Sequence, residues 1–384
     1  MRVLITVKTY FPYKDGVQTV TQYLAEGLVR RGIEVCVITS KHPECVDEDV
    51  HNGVRIKRFD LNIVHSFYFG EKKRYIKYVK RMVKDFDVLV NVCTQNPFTD
   101  ILLPILNQLD IKKILYLHGM FEFRQPLFSF KYTFVQNLQR LWNFARWWYL
   151  YFVMGKYFKQ YEQVIQLHKQ DYAVNFFKKH YNTDSYVIEN AAEDMFFNLS
   201  RDGKKKNKFE RYIISVSNYF ENKNQEMILE AFYKSNINSR VGLVFIGSEQ
   251  TEYYTKLIKL NEHLSQGNNK NVQFLYGISR KEIADYLKNA EFFVMASKSE
   301  KFPVSIVEAM ASSIAFISTD VGCVQYLPGG IIVNNVEEMV HAMNKLDSDK
   351  SFCEKLAKKG FKYAVENLKV DVCITKFIEI LRLR

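Results

Sequence analysis

The chain has 384 residues, which is more than one small hydrophobic core needs and favours two domains. Glycine and proline are scarce, at 16 and 7 residues, which argues against long disordered or collagen-like segments. The formal net charge of +12 favours anionic partners, a class that includes phosphates, nucleic acid and anionic membrane surfaces.

The six cysteines are widely scattered and none forms a CxxC pair, so we expect reduced thiols in a cytoplasmic protein. The N-terminal sequence "MRVLITVKTYFP" is typical of a first β-strand and not of a signal peptide. No apolar run reaches the length of about 18 residues that a transmembrane helix needs, so we expect no membrane span.

The first forty residues predict a strand, a helix and a second strand. "RVLITV" and "EVCVITS" are strand candidates, and "TVTQYLAEGLVRRG" has helical periodicity that ends at Gly32. This order at this spacing indicates a parallel sheet with a right-handed crossover. Further strands are expected at 87–92 and 113–119.

Two later segments in this half are open to two interpretations each. Residues 71–85 predict a basic helix, either a solvated surface helix or one that lies on an anionic membrane. Residues 127–161 are rich in aromatic side chains and contain all three tryptophans. They are either a packed core helix or a site for an acceptor or a lipid headgroup.

The polar stretch 198–210 interrupts the pattern and is the predicted linker between domains. Beyond it, strands and helices alternate again, which predicts a second α/β domain. The predicted organisation is an N-terminal domain (1–197), this linker, a C-terminal domain (211–365) and a final helix (366–384).

Two glutamates in "SKSEKFPVSIVEAMASS" are the first site candidates. Glu300 follows a predicted strand, and Glu308 lies about one turn inside the next predicted helix. A helix start suits a diphosphate, whereas carboxylates accept hydrogen bonds from sugar and ribose hydroxyls. The alternative is two surface glutamates, one of them favoured by the helix dipole.

Three further residues follow predicted strands, where parallel α/β sheets bind ligands. Lys223 lies on the loop after the first strand of the second domain, Gly16 on the first loop of the chain, and His118 after the strand "KILYL". Each also has an ordinary structural interpretation: a solvated lysine, a turn glycine and a buried histidine. No metal-ligand cluster or phosphate-binding Walker loop is evident.

The order of these motifs resembles the GT-B glycosyltransferases of retaining family 4, over nearly the whole chain. The Glu-x7-Glu motif of that family matches Glu300 to Glu308, and its N-terminal glycine-loop signature matches "YFPYKDGVQTVTQYLAEGLVRRGIEVCVITS". The resemblance implies two Rossmann-like domains with doubly wound parallel sheets facing a central cleft. It also implies that 1–197 binds the acceptor, that 211–365 binds the donor, and that the final helix (366–384) crosses back to the N-terminal domain.

The resemblance also implies a role for each matching position. Glu300 would hold the donor sugar, Glu308 the nucleotide ribose, and Lys223 and the helix start the diphosphate. The implied donor-binding set is Gly16, Asn218, Lys223, Gly277, Ile278, Glu300, Phe302, Pro303, Val304 and Glu308, and the implied catalytic pair is Glu300 and His118.

The sequence departs from the family pattern at several positions. Ser217 and Asn218 stand where the family usually has Gly-Arg, which removes a bidentate phosphate contact. Asn190-Ala191 replaces Asn-Gly at the domain junction, and Cys323 replaces one glycine of a later pair.

The expected function is transfer of a hexose-type sugar from a UDP or GDP sugar to an acceptor hydroxyl, with retention and without an obligatory metal. A lipid-linked glycan of envelope or capsular polysaccharide synthesis is the expected acceptor, with association at the inner face of the membrane through 71–85 and 127–161. The alternatives are a sugar-nucleotide epimerase and a non-catalytic nucleotide-sugar-binding protein. Nucleic acid is not expected as a partner, because no binding motif for it is evident.

Overall fold

The computed structural model describes residues 1–13, 15–64, 67–123, 127–128, 133–200 and 208–383. The chain forms two compact units. Unit 1 consists of Met1–Ile188 and Ile374–Arg384, and unit 2 consists of Glu189–Cys373. The predicted linker at 198–210 includes residues 201–207, which lie outside the described residues.

Unit 1 is built on an eight-stranded sheet in the order β10-β9-β8-β7-β1-β2-β4-β3, in which only the β3–β4 pair is antiparallel. β5 and β6 form a separate antiparallel hairpin. The ten strands are β1 (Arg2–Thr6), β2 (Glu34–Ser40), β3 (Glu48–His51), β4 (Val54–Phe59), β5 (Leu61–Val64), β6 (Phe67–Gly70), β7 (Val88–Val92), β8 (Lys112–Tyr116), β9 (Gln163–Gln166) and β10 (Ser185–Val187).

Helices connect the strands of unit 1 along the chain. They are α1 (Gly16–Arg30), α2 (Lys72–Met82), α3 (Pro97–Asp100), α4 (Phe134–Trp148) and α5 (Tyr172–Tyr181). Shorter 3₁₀ turns occupy Val83–Asp85, Leu103–Gln108 and Met154–Gln160, and a π-helical turn continues α4 over Tyr149–Val153. The central strands β1 and β7 are buried on both faces, as expected for a parallel sheet between helices.

Unit 2 contains an all-parallel six-stranded sheet in the order β13-β12-β11-β14-β15-β16. Its strands are β11 (Arg211–Val216), β12 (Val241–Gly247), β13 (Val272–Tyr276), β14 (Phe293–Met295), β15 (Phe316–Thr319) and β16 (Gly330–Val333). Its helices are α6 (Asp194–Phe197), α7 (Gln225–Lys234), α8 (Glu252–Ser265), α9 (Arg280–Lys288), α10 (Val304–Ala311), α11 (Val336–Ser348) and α12 (Lys350–Asn367), with 3₁₀ turns at Glu221–Lys223 and Val324–Tyr326.

The last helix, α13 (Val370–Arg382), begins in unit 2 and continues into unit 1 from Ile374 onwards. Within unit 1 it packs closely on α1, because a Cβ added to Gly27 would lie 2.1 Å from Cδ1 of Ile374. Among the described residues, no helix combines the length and the apolar character that crossing a bilayer would require.

The two parallel-sheet units confirm the predicted α/β class. One local prediction was wrong, because Gly16 is the first residue of α1 and does not lie on a loop. Asp15 starts the helix there by accepting a hydrogen bond from the backbone N–H of Gln18, 2.9 Å away.

Candidate donor-binding site

Helix α10 carries Glu308 into the interior of unit 2. The residue is only 2% exposed, and its Oε1 lies 2.6 Å from Nη2 of Arg280. Burial raises the pKa of Glu308, while the positive charge of Arg280 opposes that rise. A buried carboxylate paired with a guanidinium can accept hydrogen bonds from hydroxyl groups in its ionised form.

Arg280 is held from three sides. Its Nη2 and Nε lie 2.9 and 3.2 Å from Oε1 of Glu193, and its guanidinium lies 4.9 Å from the ring centre of Phe196. Arg280 therefore connects Glu308 on α10 to Glu193 at the start of α6.

The sequence analysis did not identify Arg280 and Glu193 as candidate site residues. Arg280 follows Ser279, which together with Glu282 forms a capping box at the start of α9, so the pattern "SRKEI" indicates only a helix start. The available signal was a charged residue at the start of the helix that follows the Gly277 loop, close to the end of a parallel strand.

Lys223 and Glu300 form a second ion pair, with 2.5 Å between Nζ and Oε1. Lys223 ends the 3₁₀ turn between β11 and α7, and Glu300 lies between β14 and α10. The two loops are also joined through the backbone, since the N–H of Lys298 donates to the carbonyl of Asn222 over 2.7 Å. The structure therefore brings together a cation and a carboxylate that the sequence placed 77 residues apart.

The start of α10 lies directly beyond Glu300. Its first backbone N–H groups have no partner within the helix, which makes this end suitable for an anion. Pro303 has no N–H, so it can shape this turn but cannot donate to a diphosphate, whereas Phe302 and Val304 can. Nδ2 of the buried Asn190 donates to the carbonyl of Phe302 over 2.8 Å and fixes the turn.

Gly322 packs closely against the backbone of the loop that carries Glu300. Its φ is +57°, and a Cβ there would lie 2.3 Å from the carbonyl oxygen of Lys301 and 2.7 Å from that of Glu300. Only glycine fits such a position without moving the backbone.

The remaining predicted donor residues lie on neighbouring strand ends. Asn218 follows β11, and its carbonyl accepts a hydrogen bond from Nε2 of the buried Gln225. Gly277 and Ile278 follow β13, and the N–H of Gly277 donates to the carbonyl of Gly247 at the end of β12. Ile278 is two residues before Arg280, so the ion pair between Arg280 and Glu308 connects this loop to Glu308.

Gly16 and His118 lie in unit 1, after the carboxyl ends of β1 and β8. Cys93, directly after β7, interacts with His118 and with Asp15, the residue before Gly16. Burial raises the pKa of its thiol to about 12; a backbone hydrogen bond with His118 lowers it, and the charge of Asp15 raises it. A Cβ added to Gly16 would have nothing within 4 Å, so the described structure does not itself require a glycine there.

Burial lowers the pKa of His118 to about 4, so its imidazole is neutral at physiological pH. Its Nε2 is buried and has no hydrogen-bond partner among the described residues, and the same is true of Nε2 of Gln95. Gln95 and its neighbour Cys93 adopt positive φ angles of 65° and 61°, which are uncommon for such residues. A neutral imidazole can bind a hydroxyl group but does not contribute a positive charge.

Two family models match this sequence, one in each half. Residues 196–363 match the model described as Glycosyl transferases group 1, and residues 14–170 match the model described as Glycosyltransferase Family 4. The first match contains Lys223, Arg280, Glu300 and Glu308.

Among curated proteins, the chain is similar to the capsular polysaccharide biosynthesis glycosyltransferase CapH of Staphylococcus aureus. The identity is 28% over 127 residues, which are 33% of this chain and 35% of CapH. The aligned region thus spans about a third of that relative's length.

Solved structures share the fold over almost the full length. A glycosyltransferase from Rickettsia africae has a TM-score of 0.75 at 15% identity, covering 99% of this chain and 97% of that chain. Anabaena Alr3699/HepE in complex with UDP has a TM-score of 0.69 at 14% identity, covering 99% of both chains. The fold is therefore GT-B, as predicted, and each half of the chain matches a family model of glycosyltransferases.

Proposed function

We propose that this protein transfers a hexose-type sugar from a nucleoside-diphosphate sugar to an acceptor hydroxyl, with retention of configuration at the anomeric carbon. The proposal rests on two ion pairs of unit 2, Lys223–Glu300 and Arg280–Glu308, which lie beside the start of α10. The site combines cations and backbone donors for a diphosphate with carboxylates for hydroxyl groups.

A nucleotide of the UDP or GDP type fits the donor role. HepE, which shares the fold, has been solved in complex with UDP, and this supports testing UDP first. The ribose would bind at Glu308, the diphosphate at Lys223 and the N–H groups of Phe302 and Val304, and the sugar at Glu300. In this proposal no metal ion is obligatory, because Lys223 and the helix start supply the positive potential.

The proposed chemical step is a displacement on the front face of the sugar. The bond between the anomeric carbon and the β-phosphate oxygen breaks, and its electron pair remains on that oxygen. The acceptor oxygen forms the new bond on the same face and passes its proton to the departing phosphate. Lys223 stabilises the charge that grows on the phosphate, a type of contact worth about 10²–10³ in rate when one donor is removed.

His118 is assigned a hydrogen bond to a sugar hydroxyl, because its imidazole is neutral and its Nε2 has no partner among the described residues. The acceptor proposed is a lipid-linked glycan of envelope or capsular polysaccharide synthesis. The similarity to CapH, which is named for capsular polysaccharide biosynthesis, supports this choice. The enzyme would then work in the cytoplasm at the inner face of the membrane.

The experiment is donor turnover followed by proton NMR. The protein is incubated with UDP-glucose, UDP-N-acetylglucosamine and GDP-mannose, and the first sugar anomer released or transferred is identified. Retention predicts that an α-linked donor yields the α anomer first, and that Glu300→Gln abolishes the reaction. First appearance of the β anomer would overturn retention.

One observation favours a second candidate, a non-catalytic protein that binds nucleotide sugars. Asn218 stands where the family usually has an arginine, so one phosphate contact is missing. Tight binding of a nucleotide sugar without turnover by the wild-type protein would support this candidate over the transferase.

A further inference from the structure

The hairpin β5–β6 presents aromatic side chains to solvent. Tyr68 faces inward, where its hydroxyl donates to Oδ2 of the buried Asp100 over 2.5 Å. Side chains alternate along a strand, so Phe67 and Phe69 lie on the opposite face. They are 58% and 51% exposed.

Helix α4 has an unusual distribution of polar and apolar residues. Its one buried residue is Asn137, whereas many of its exposed residues are apolar. Phe134 is 74% exposed and Trp142 is 49% exposed. The exposed apolar side chains recur at helical spacing through α4 and the π-helical turn, at Phe134, Val135, Leu138, Leu141, Trp142, Tyr149, Phe152 and Val153.

The hairpin and the helix form one continuous surface, which we call the aromatic face. The rings of Phe67 and Trp142 lie 6.1 Å apart, and the guanidinium of Arg146 lies 5.3 Å from the ring of Tyr68. Exposed apolar surface on this scale is rare on proteins that do not use it for contact.

Positively charged residues outnumber carboxylates around the aromatic face. Asp60 and Glu71 flank the hairpin, and Glu71 forms an ion pair with Arg74. Residues 123–161 contain no aspartate or glutamate, and the hairpin 61–70 contains no charged residue at all. The chain then enters α2, where seven lysines and arginines occur between residues 72 and 84 without an acidic residue. All seven of these cationic residues are exposed: Lys72, Lys73, Arg74, Lys77, Lys80, Arg81 and Lys84.

We propose that the aromatic face docks on an anionic lipid bilayer, with Phe67, Phe69 and Trp142 inserted among the headgroups. Aromatic side chains beside many lysines and arginines and few carboxylates match a negatively charged membrane interface. This deepens the membrane association proposed above by naming the hairpin as an insertion element. It requires neither nucleotide nor transfer, so its failure and that of the transferase proposal are distinguishable.

The test uses the three tryptophans, all of which lie in α4, as reporters. The full chain is mixed with vesicles of phosphatidylglycerol and phosphatidylcholine, or of phosphatidylcholine alone, at low and high salt. Tryptophan emission and co-sedimentation are measured. We expect a blue shift and co-sedimentation with the anionic vesicles at low salt, both reduced at high salt.

Two double variants test whether the aromatic face is the surface that binds the vesicles. Phe67→Ser/Phe69→Ser and, on the helix, Leu138→Ser/Leu141→Ser should each weaken vesicle binding by about tenfold or more, because binding scales with the apolar area inserted. Val46→Ser/Val50→Ser is the matched control, since those valines are exposed in the same unit but lie outside the aromatic face. Its vesicle binding should equal that of the wild type.

Three results would overturn the proposal. One is the absence of binding to anionic vesicles at low salt, and another is an equal loss of binding in the control variant. The third is a concentration-dependent dimer in sedimentation that Leu138→Ser/Leu141→Ser abolishes, since a second copy would then cover this face.

Discussion

Arg280 forms an ion pair of 2.6 Å with the buried Glu308 of unit 2, and the same guanidinium also binds Glu193. Glu308 is the residue to which we assign the nucleotide ribose. Its ability to accept hydrogen bonds at neutral pH therefore depends on Arg280, because burial alone favours the neutral acid.

Replacing Arg280 should make nucleotide binding depend on pH. In Arg280→Gln the charge that lowers the pKa of Glu308 is gone, so that pKa rises further and the carboxyl group is protonated over a wider range. We expect the nucleotide that binds the wild type, UDP or GDP, to bind this variant about 10–100 times more weakly at pH 6, with partial recovery at pH 8.5. Titration calorimetry at both pH values measures this.

Two further variants separate this role from a purely structural one. Arg280→Lys keeps the positive charge but loses the planar guanidinium with its several N–H donors. It should therefore weaken nucleotide binding without making that binding depend on pH. Lys281→Gln changes the exposed neighbour and should bind as the wild type does. Equal loss of binding by Arg280→Gln at pH 6 and 8.5 would contradict the assignment.

Replacing Lys223 should lower the rate of sugar transfer more than the stability of the fold. Lys223→Met removes the cation proposed to stabilise the leaving phosphate, and kcat should fall by about 10²–10³. Lys223→Arg should retain part of the activity. The control is Lys256→Ala, which removes an exposed lysine paired with Glu221. A Lys223→Met enzyme with unchanged kcat would remove this residue from the mechanism.

A pair of glycines tests the Glu300 loop. In Gly322→Ala the new Cβ would collide with the carbonyls of Lys301 and Glu300 at a positive φ, which should cost about 1–3 kcal/mol of unfolding free energy. Gly16→Ala meets nothing within 4 Å and should leave the stability almost unchanged. Urea unfolding of both variants gives the comparison, and similar losses in both would be the contrary result.

His118 should lower the stability of the protein in mild acid. Its pKa is about 4 in the folded chain and about 6.5 when unfolded, so between these values the unfolded state binds the extra proton. The stabilisation present above pH 6.5 is therefore lost as the pH falls towards 4. His118→Gln should lose about 1–2 kcal/mol less than the wild type between pH 7 and pH 5.

The control for this prediction is His341→Gln, which replaces an exposed histidine. It should follow the wild-type dependence of stability on pH. Identical pH dependence in His118→Gln and the wild type would show that His118 titrates normally.

The sequence could predict the features that depend on periodicity and local spacing. Alternating strands and helices gave the α/β class, and the Glu-x7-Glu spacing pointed to Glu300 and Glu308. The Arg280–Glu193 contact could not be predicted in this way, because it joins residues 87 positions apart and each has an ordinary local explanation.

The aromatic face was predicted only in part. The aromatic content of 127–161 predicted either a packed core helix or a site for an acceptor or a lipid headgroup, and it did not decide between them. The hairpin β5–β6 is too short to give a clear alternating pattern, and its outward face is defined by the contact of Tyr68 with Asp100, which is distant in sequence.

The central claim is that unit 2 binds the nucleotide of a sugar donor through Glu308. Titration calorimetry of wild type and Glu308→Gln with UDP, GDP and ADP tests it most directly, with Lys256→Ala as the control. We predict that one nucleotide binds the wild type and the control with one-to-one stoichiometry, and binds Glu308→Gln about tenfold or more weakly. Binding of none of the three nucleotides, or equal binding by Glu308→Gln, would contradict the claim.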